Sequence, residues 1–357
     1  MTSTWHNASP PAALAVLAAA WLAPSGPLVL SIAALALIVA VLAAVHHAEV
    51  VAHRTGEPFG TLVLAVAVTV IEVSLILSMM ASGGEAAATL PRDTIYAAVM
   101  IICNGVVGLC LLVGALRHRE QSFRVEGTGP GLAALVSLAT LSLVLPTFTT
   151  SSPEGTYTIS QLVFAGATSL VLWAVFVFVQ TVRHRDYFLP PGDAADDEAA
   201  HAAPPSRARS WLSFGLLLVA LAAVVGLAKQ LSPSIESAVA AIGAPKAVVG
   251  IAIALLVLLP ETWAAVRAAR ANRLQTSLNL AIGSALASIG LTVPAVVAAS
   301  VWLELPLVLG LEAKDMALLA LTFVVGAITL ASGRTNLMQG AVHLVIFASF
   351  LFLALVP

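Results

Sequence analysis

Along this chain, apolar runs of roughly twenty residues alternate with short polar breaks, and twenty is about the number a helix needs to cross a hydrocarbon core ~30 Å thick. The pattern predicts eleven spans, at about 11–24, 27–50, 60–82, 94–116, 130–149, 158–182, 210–231, 247–269, 275–300, 315–332 and 337–356. Membrane strands would be about half as long and would alternate in polarity, so a barrel is not the reading. The fold class is an all-α polytopic membrane protein with about eleven transmembrane helices. The longest polar break, Arg183 to Ser210, is rich in Pro, Ala and acids and reads as a flexible linker. It divides the chain into an extra N-terminal helix (1–26), a five-helix segment (27–182), an acidic cytoplasmic linker (183–210) and a second five-helix segment (211–357).

Composition sharpens the class. Hydrophobic residues make up 60% and charged residues only 10% of the 357, against about 25% charged in a soluble domain. A formal charge of -2, with no basic stripe, gives no reason to expect nucleic acid as a partner. The partners implied are the lipid bilayer and small ions; the sequence leaves the oligomeric state open. The first 25 residues hold no Lys or Arg, so they lack the basic start of a secretory signal and read as part of the mature protein. Cys103 and Cys110 fall seven apart in one predicted helix, about 10 Å along its axis, too far for a disulfide. They read as core filler.

Twelve of the sixteen Lys and Arg fall in the breaks after even-numbered spans, among them Arg54, Arg117, Arg183, Arg267 and Arg334; only Arg92, Lys229, Lys246 and Lys314 lie opposite. The positive-inside rule then predicts a multi-pass protein of the cell (inner) membrane with a cytoplasmic N-terminus and an extracytoplasmic C-terminus. With the first span set aside, the linker divides ten helices five and five. Because five is odd, two similar halves would enter the membrane in opposite senses, as inverted repeats.

Similarity between the halves is visible. Glu49 lies seven residues before Gly56, and Glu236 seven before Gly243, with Pro58 and Pro245 two residues beyond. Glu72 follows Pro58 by fourteen and Glu261 follows Pro245 by sixteen; Asn104 precedes Gly114 by ten, as Ser284 precedes Pro294. Three matches in one order point to internal duplication.

A carboxylate inside the membrane costs at least about 2.5–3.5 kcal/mol and as a rule marks an ion or proton path. Glu72 and Glu261 are therefore the candidate cation- and proton-binding acids; the bland alternative is a protonated pair that only packs helices. Carboxylates suit hard cations, and burial raises their proton affinity. A site that holds either metal or protons predicts exchange of one for the other. Pro260 removes a backbone donor and frees the Leu256 carbonyl, opening the helix beside Glu261. Thr69, Asn104, Ser284 and Ser288 are candidate neutral oxygens, each also readable as an interhelical hydrogen bond. Glu49 and Glu236 are expected on the access path, with His47 adding pH sensitivity. A different class of reading takes His46, Glu49 and His53, on one helix face, as ligands of an intramembrane metal hydrolase. The second half holds Pro233 and Ala240 where those histidines would recur, and H-E-x-x-H is absent. The acids Asp193, Asp196, Asp197 and Glu198 read as a solvated tether.

The segment "PETWAAVRAARANRLQTSLNLAIGSALASIGLTVP", Pro260 to Pro294, resembles the second repeat of the calcium/cation exchanger superfamily. "HHAEVVAHRTGEPFGTLVLAVAVTVIEVSLI", His46 to Ile76, resembles the first repeat of its bacterial ChaA-type calcium/proton antiporters. The resemblance implies a secondary transporter and no enzyme, exporting Ca²⁺ for H⁺ by alternating access, with Na⁺ or K⁺ as the alternative cargo and no resident cofactor. It implies Glu72 and Glu261 as the exchange acids, with Asn104 and Ser284 in the facing helices. The chain departs from the wider family where Gly-Asn-Ala before each acid is replaced by Thr69-Val70-Ile71 and Leu258-Leu259-Pro260.

Overall fold

The computed structural model describes residues 5–22, 26–55, 59–153, 155–189, 205–241, 243, 245 and 247–356, without the side chains of 59–62, 64, 65, 236, 239 and 240. The helices among these residues are α1 (Trp5–Leu22), α2 (Pro27–Thr55), α3 (Phe59–Gly83), α4 (Leu90–His118), α5 (Val125–Thr147), α6 (Ile159–Arg183), α7 (Arg207–Ala241), α8 (Ala247–Arg270), α9 (Leu274–Leu303), α10 (Ala313–Ala331) and α11 (Leu337–Leu355). Ten of the described helices, α2 to α11, are long and apolar enough to cross a membrane. The protein is an all-α polytopic membrane protein, one extra N-terminal helix followed by five helices and five.

Two expected boundaries move, each for a reason in the chain. Helix α1 begins at Trp5 rather than near residue 11, its polar first turns lying outside any apolar run. Pro10 and Pro11 sit inside it; Pro10 removes the donor that would have served the His6 carbonyl. Two side chains take over that carbonyl: His47 Nε2 at 3.0 Å and Ser9 Oγ at 3.2 Å. Helix α7 continues to Ala241, ten residues past the expected end and through Pro233, so that Glu236 lies within a helix. Hydropathy registers the polar stretch there, whereas the backbone simply goes on winding, and Ser237 Oγ donates to the Pro233 carbonyl at 2.8 Å.

Packing divides the chain into two compact units that draw on both halves of the sequence. One holds α1, α2, α3 and α7. In it α2 ends where α7 begins, with Arg54 Nη1 donating to the Pro205 carbonyl at 3.1 Å. Gln230 Nε2 ties α7 to the Ala20 carbonyl of α1 at 2.8 Å, and the Ser78 and Ser232 hydroxyls of α3 and α7 meet at 3.2 Å. The other unit holds α4, α5, α6 and α8 to α11. At one end of it His118 Nε2 lies 2.9 Å from the Arg270 carbonyl, Gln121 Nε2 donates to the Ala269 carbonyl at 2.9 Å, and Asn279 Nδ2 donates to the Phe188 carbonyl at 2.6 Å. Two short strands, β1 (Gln121–Ser122) and β2 (Arg334–Thr335), pair antiparallel at the same end. At the opposite end Arg92 Nη1 donates to the Gly310 carbonyl and Thr147 Oγ1 to the Leu311 carbonyl, both at 2.9 Å.

These ties fix helix directions inside the second unit. Helix α4 ends where α9 begins, α5 begins where α10 ends, and α6 ends where α11 begins. Each pair of sequence counterparts therefore runs antiparallel, as inverted repeats must. The arginines expected on one face, Arg117, Arg124, Arg183, Arg270 and Arg334 among them, do gather at one end, and Arg92 stands at the other. Of the expected linker, Arg185–Phe188 forms a 3₁₀ turn with Phe188 buried. Its acids Asp193, Asp196, Asp197 and Glu198 lie outside the described residues.

Candidate functional site

Glu72 stands midway along α3, 4% exposed, with Thr69 one turn earlier, 8% exposed, on the same face. Glu261 is half-buried in α8, directly after Pro260. The helix stays continuous through that proline; the carbonyl four residues earlier, Leu256, has no helical donor. One residue past Glu261, Thr262 Oγ1 donates to the Leu258 carbonyl at 2.7 Å. Each acid is described within its own unit, Glu72 in the first, Glu261 in the second.

In the second unit Glu261 has a defined neighbourhood. Gly250 of α8 lies so close to α4 that a Cβ there would stand 2.9 Å from the Asp93 carbonyl carbon and from the Thr94 nitrogen. At the far ends, Ala269 and Arg270 lie by Gln121 and His118, so α4 and α8 run parallel. Eleven residues from Gly250 lead to Glu261, about 16 Å along the helix, and eleven from Asp93 lead to Asn104. The acid and the amide therefore stand at one level.

Asn104 occupies a π-helical turn, Ile101–Val106, in the middle of α4. Such turns insert one residue into a helix and occur often at functional sites. This turn packs against α8, α9, α10 and α11, which makes it the hub of the unit. Asn104 is fully buried: Nδ2 donates to Thr322 Oγ1 of α10 at 2.9 Å, and Oδ1 lies 3.2 Å from His343 Nδ1 of α11. His343 in turn meets Thr329 Oγ1 through Nε2 at 3.1 Å. Helix α11 comes this close because α4 offers glycine: a Cβ on Gly108 would stand 2.9 Å from His343 Cβ. Ser284, half-buried, and Ser288, 6% exposed, lie one turn apart on α9, which packs on both α4 and α8. Asn104, Ser284, Ser288 and Glu261 thus share one unit, on helices that pack against one another.

On the expected access path, Glu49 is exposed near the end of α2, and the Glu236 side chain lies outside the description. His47 is turned inward, 0% exposed, holding the His6 carbonyl, while His46 stacks on the His6 ring at 3.8 Å. His53 is exposed, and the described residues contain no cluster of three His, Cys, Asp or Glu placed to hold a metal. Both cysteines are free thiols.

The sequence reading missed His343, Thr322 and Thr329. Their signal was present, since each is a polar side chain inside an apolar run, and a histidine there asks for partners. What could not be seen was that Asn104, more than two hundred residues earlier, supplies one.

Comparison with known proteins agrees with this architecture. The family described as sodium/calcium exchanger protein matches residues 25–182 and 212–356. A protein of Sinorhizobium fredii named as an ionic transporter is 54% identical over 89% of this chain and 86% of its own. The sodium-potassium/proton antiporter ChaA of Escherichia coli is 37% identical over 91% of this chain and 89% of its own. Among solved structures, the Ca²⁺/H⁺ antiporter protein YfkE superposes with a TM-score of 0.71 at 13% identity, covering 99% of this chain and 98% of that one.

Proposed function

Since this chain belongs to the sodium/calcium exchanger family and is a cation/proton antiporter, we propose that its cycle expels Ca²⁺ in exchange for H⁺, with Glu72 and Glu261 as the groups that hold cation or protons in turn. The observation that carries this reading is the placement of the acids: each lies mid-helix and at least half-buried, at matching positions of duplicated halves. A carboxylate so placed disfavours standing charged and empty. Two carboxylates carry the charge of one divalent cation, and hard cations take oxygen ligands, which Thr69, Asn104, Ser284 and Ser288 can add. No resident cofactor enters; the cation is cargo. Alternating access of the inverted repeats moves it, Glu49 and Glu236 lie on the path, and the arginine-rich end faces the cytoplasm.

A second reading, Na⁺ or K⁺ exchanged for H⁺, is favoured by the activity for which the Escherichia coli relative is named. A cation panel separates the two. Acid-loaded proteoliposomes are challenged with Ca²⁺, Mg²⁺, Na⁺ or K⁺, and proton efflux is followed; efflux on Ca²⁺ supports the first reading, efflux on Na⁺ or K⁺ alone the second. Glu72→Gln and Glu261→Gln each abolish cation-dependent efflux, and the His46→Ala, His53→Ala double variant spares it. Full activity in either glutamine variant removes the acids from the mechanism.

A further inference from the structure

The hydrogen bonds around Asn104, with the Thr322 hydroxyl turned to its own helix, form a consistent set of directions. Thr322 has a single hydroxyl hydrogen, directed at the Leu318 carbonyl at 2.8 Å, with Met100 Sδ at 3.4 Å as the other candidate acceptor. Its oxygen therefore accepts, and the Asn104 atom facing it at 2.9 Å is the donating Nδ2. Oδ1 is then the end that faces His343, so Nδ1 of the imidazole carries the hydrogen. Nε2 is left with a lone pair, and the Thr329 hydroxyl donates to it. The chain runs Thr329 to His343 to Asn104 to Thr322 to the Leu318 carbonyl, across three helices.

This accounting leaves Asn104 with little capacity. One amide hydrogen goes to Thr322, the other points at Met100 Sδ at 3.9 Å, and one lone pair of Oδ1 accepts from His343. The second lone pair of Oδ1 is the remaining acceptor. An amide held less firmly would turn over and offer hydrogens where an oxygen is required, which repels a cation.

We propose that His343 is a positioning residue for cation binding: its Nδ1–H locks the Asn104 amide in the π turn level with Glu261, so that an amide oxygen, never an amide nitrogen, is presented. The inference rests on the antiport reading above and adds a residue to it. It concerns cation affinity, since the imidazole acts through the Asn104 amide.

The test uses two isopolar replacements of the full-length protein in proteoliposomes. Asparagine puts a donor where the ring has Nδ1, whereas glutamine reaches the Nε2 position and leaves Nδ1 empty. His343→Asn keeps the half-saturating cation concentration within about twofold of the parent. His343→Gln raises it about tenfold, the factor that one buried hydrogen bond carries, with maximal rate within about threefold. His343→Leu, if it folds, behaves like glutamine. Equal half-saturation in His343→Asn and His343→Gln, whether both normal or both raised, overturns the positioning role, because a packing role does not distinguish which nitrogen is kept. Glu261→Gln run alongside keeps the two failures apart. If it still exchanges, the site reading falls; if it is dead while the asparagine and glutamine variants match, only His343 falls.

Discussion

Replacing Gly340 by alanine tests how tightly α11 is laid on α4. A methyl there would stand 2.6 Å from the Leu112 nitrogen, 2.9 Å from its Cα and 3.1 Å from the Gly108 carbonyl oxygen. All three are backbone atoms of a helix, so no rotamer relieves them. Ordinary contacts of this kind lie at roughly 3.5–4.0 Å, and α11 must retreat by about 1 Å. His343 sits three residues on, over the same face, with its bond to Asn104 already at 3.2 Å; the retreat takes that bond beyond useful length. Overpacking costs about 1–3 kcal/mol and the lost bond about 1, while alanine returns up to about 1 through helix propensity. The net is about 1–3 kcal/mol of destabilisation, a fall of roughly 2–5 °C in unfolding midpoint. The assay is thermal unfolding of the purified protein in detergent, with Gly283→Ala as the matched control. A Cβ at Gly283 meets nothing within 4 Å, so that variant melts at or slightly above the parent. A Gly340→Ala protein as stable as the control would refute the close approach of α11 to α4, and with it the reach of His343 to Asn104.

Other outcomes follow from the same contacts. Thr322→Val strands the buried Asn104 Nδ2, whose acceptor lies at 2.9 Å, and lowers stability by about 1–3 kcal/mol; thermal unfolding reads it, and an unchanged midpoint counts against the bond. Arg92→Ala removes the 2.8 Å contact to Asp93 and the 2.9 Å bond to the Gly310 carbonyl, costing about 1–2 kcal/mol; Arg92→Lys, unable to serve both acceptors in one plane, recovers less than half. Combining His47→Ala with Gln230→Ala removes two side-chain ties on α1, the bonds to the His6 and Ala20 carbonyls, and limited proteolysis then cuts the N-terminal segment at least several-fold faster than in the parent. Cys103→Ser and Cys110→Ser leave mobility on non-reducing gels unchanged, because both thiols are free.

Much of the architecture was legible because the bilayer makes helical spans obligatory and apolar length measurable. Boundaries failed where hydropathy and helicity part company, as at Pro233 and Glu236, where a polar stretch keeps winding. The candidate acids were legible for a related reason: Glu72 and Glu261 are conspicuous in apolar surroundings. His343 was equally conspicuous but had no reading, since a buried histidine is explained only by partners, and its partners lie on other helices. His47 is a similar case: its environment is decided by the carbonyl that Pro10 orphans on a separate helix.

The sequence by itself determined the solvent, the number of helices, the duplicated halves and their opposed directions, because each follows from local composition and from charge counted along the chain. Only the tertiary structure decided that α4 carries a π turn at Asn104, that parallel packing at Gly250 brings the turn level with Glu261, and that α10 and α11 close a hydrogen-bond chain upon it. Those features depend on how closely helix backbones approach and on which donor meets which acceptor, and neither is a property of any single stretch of chain.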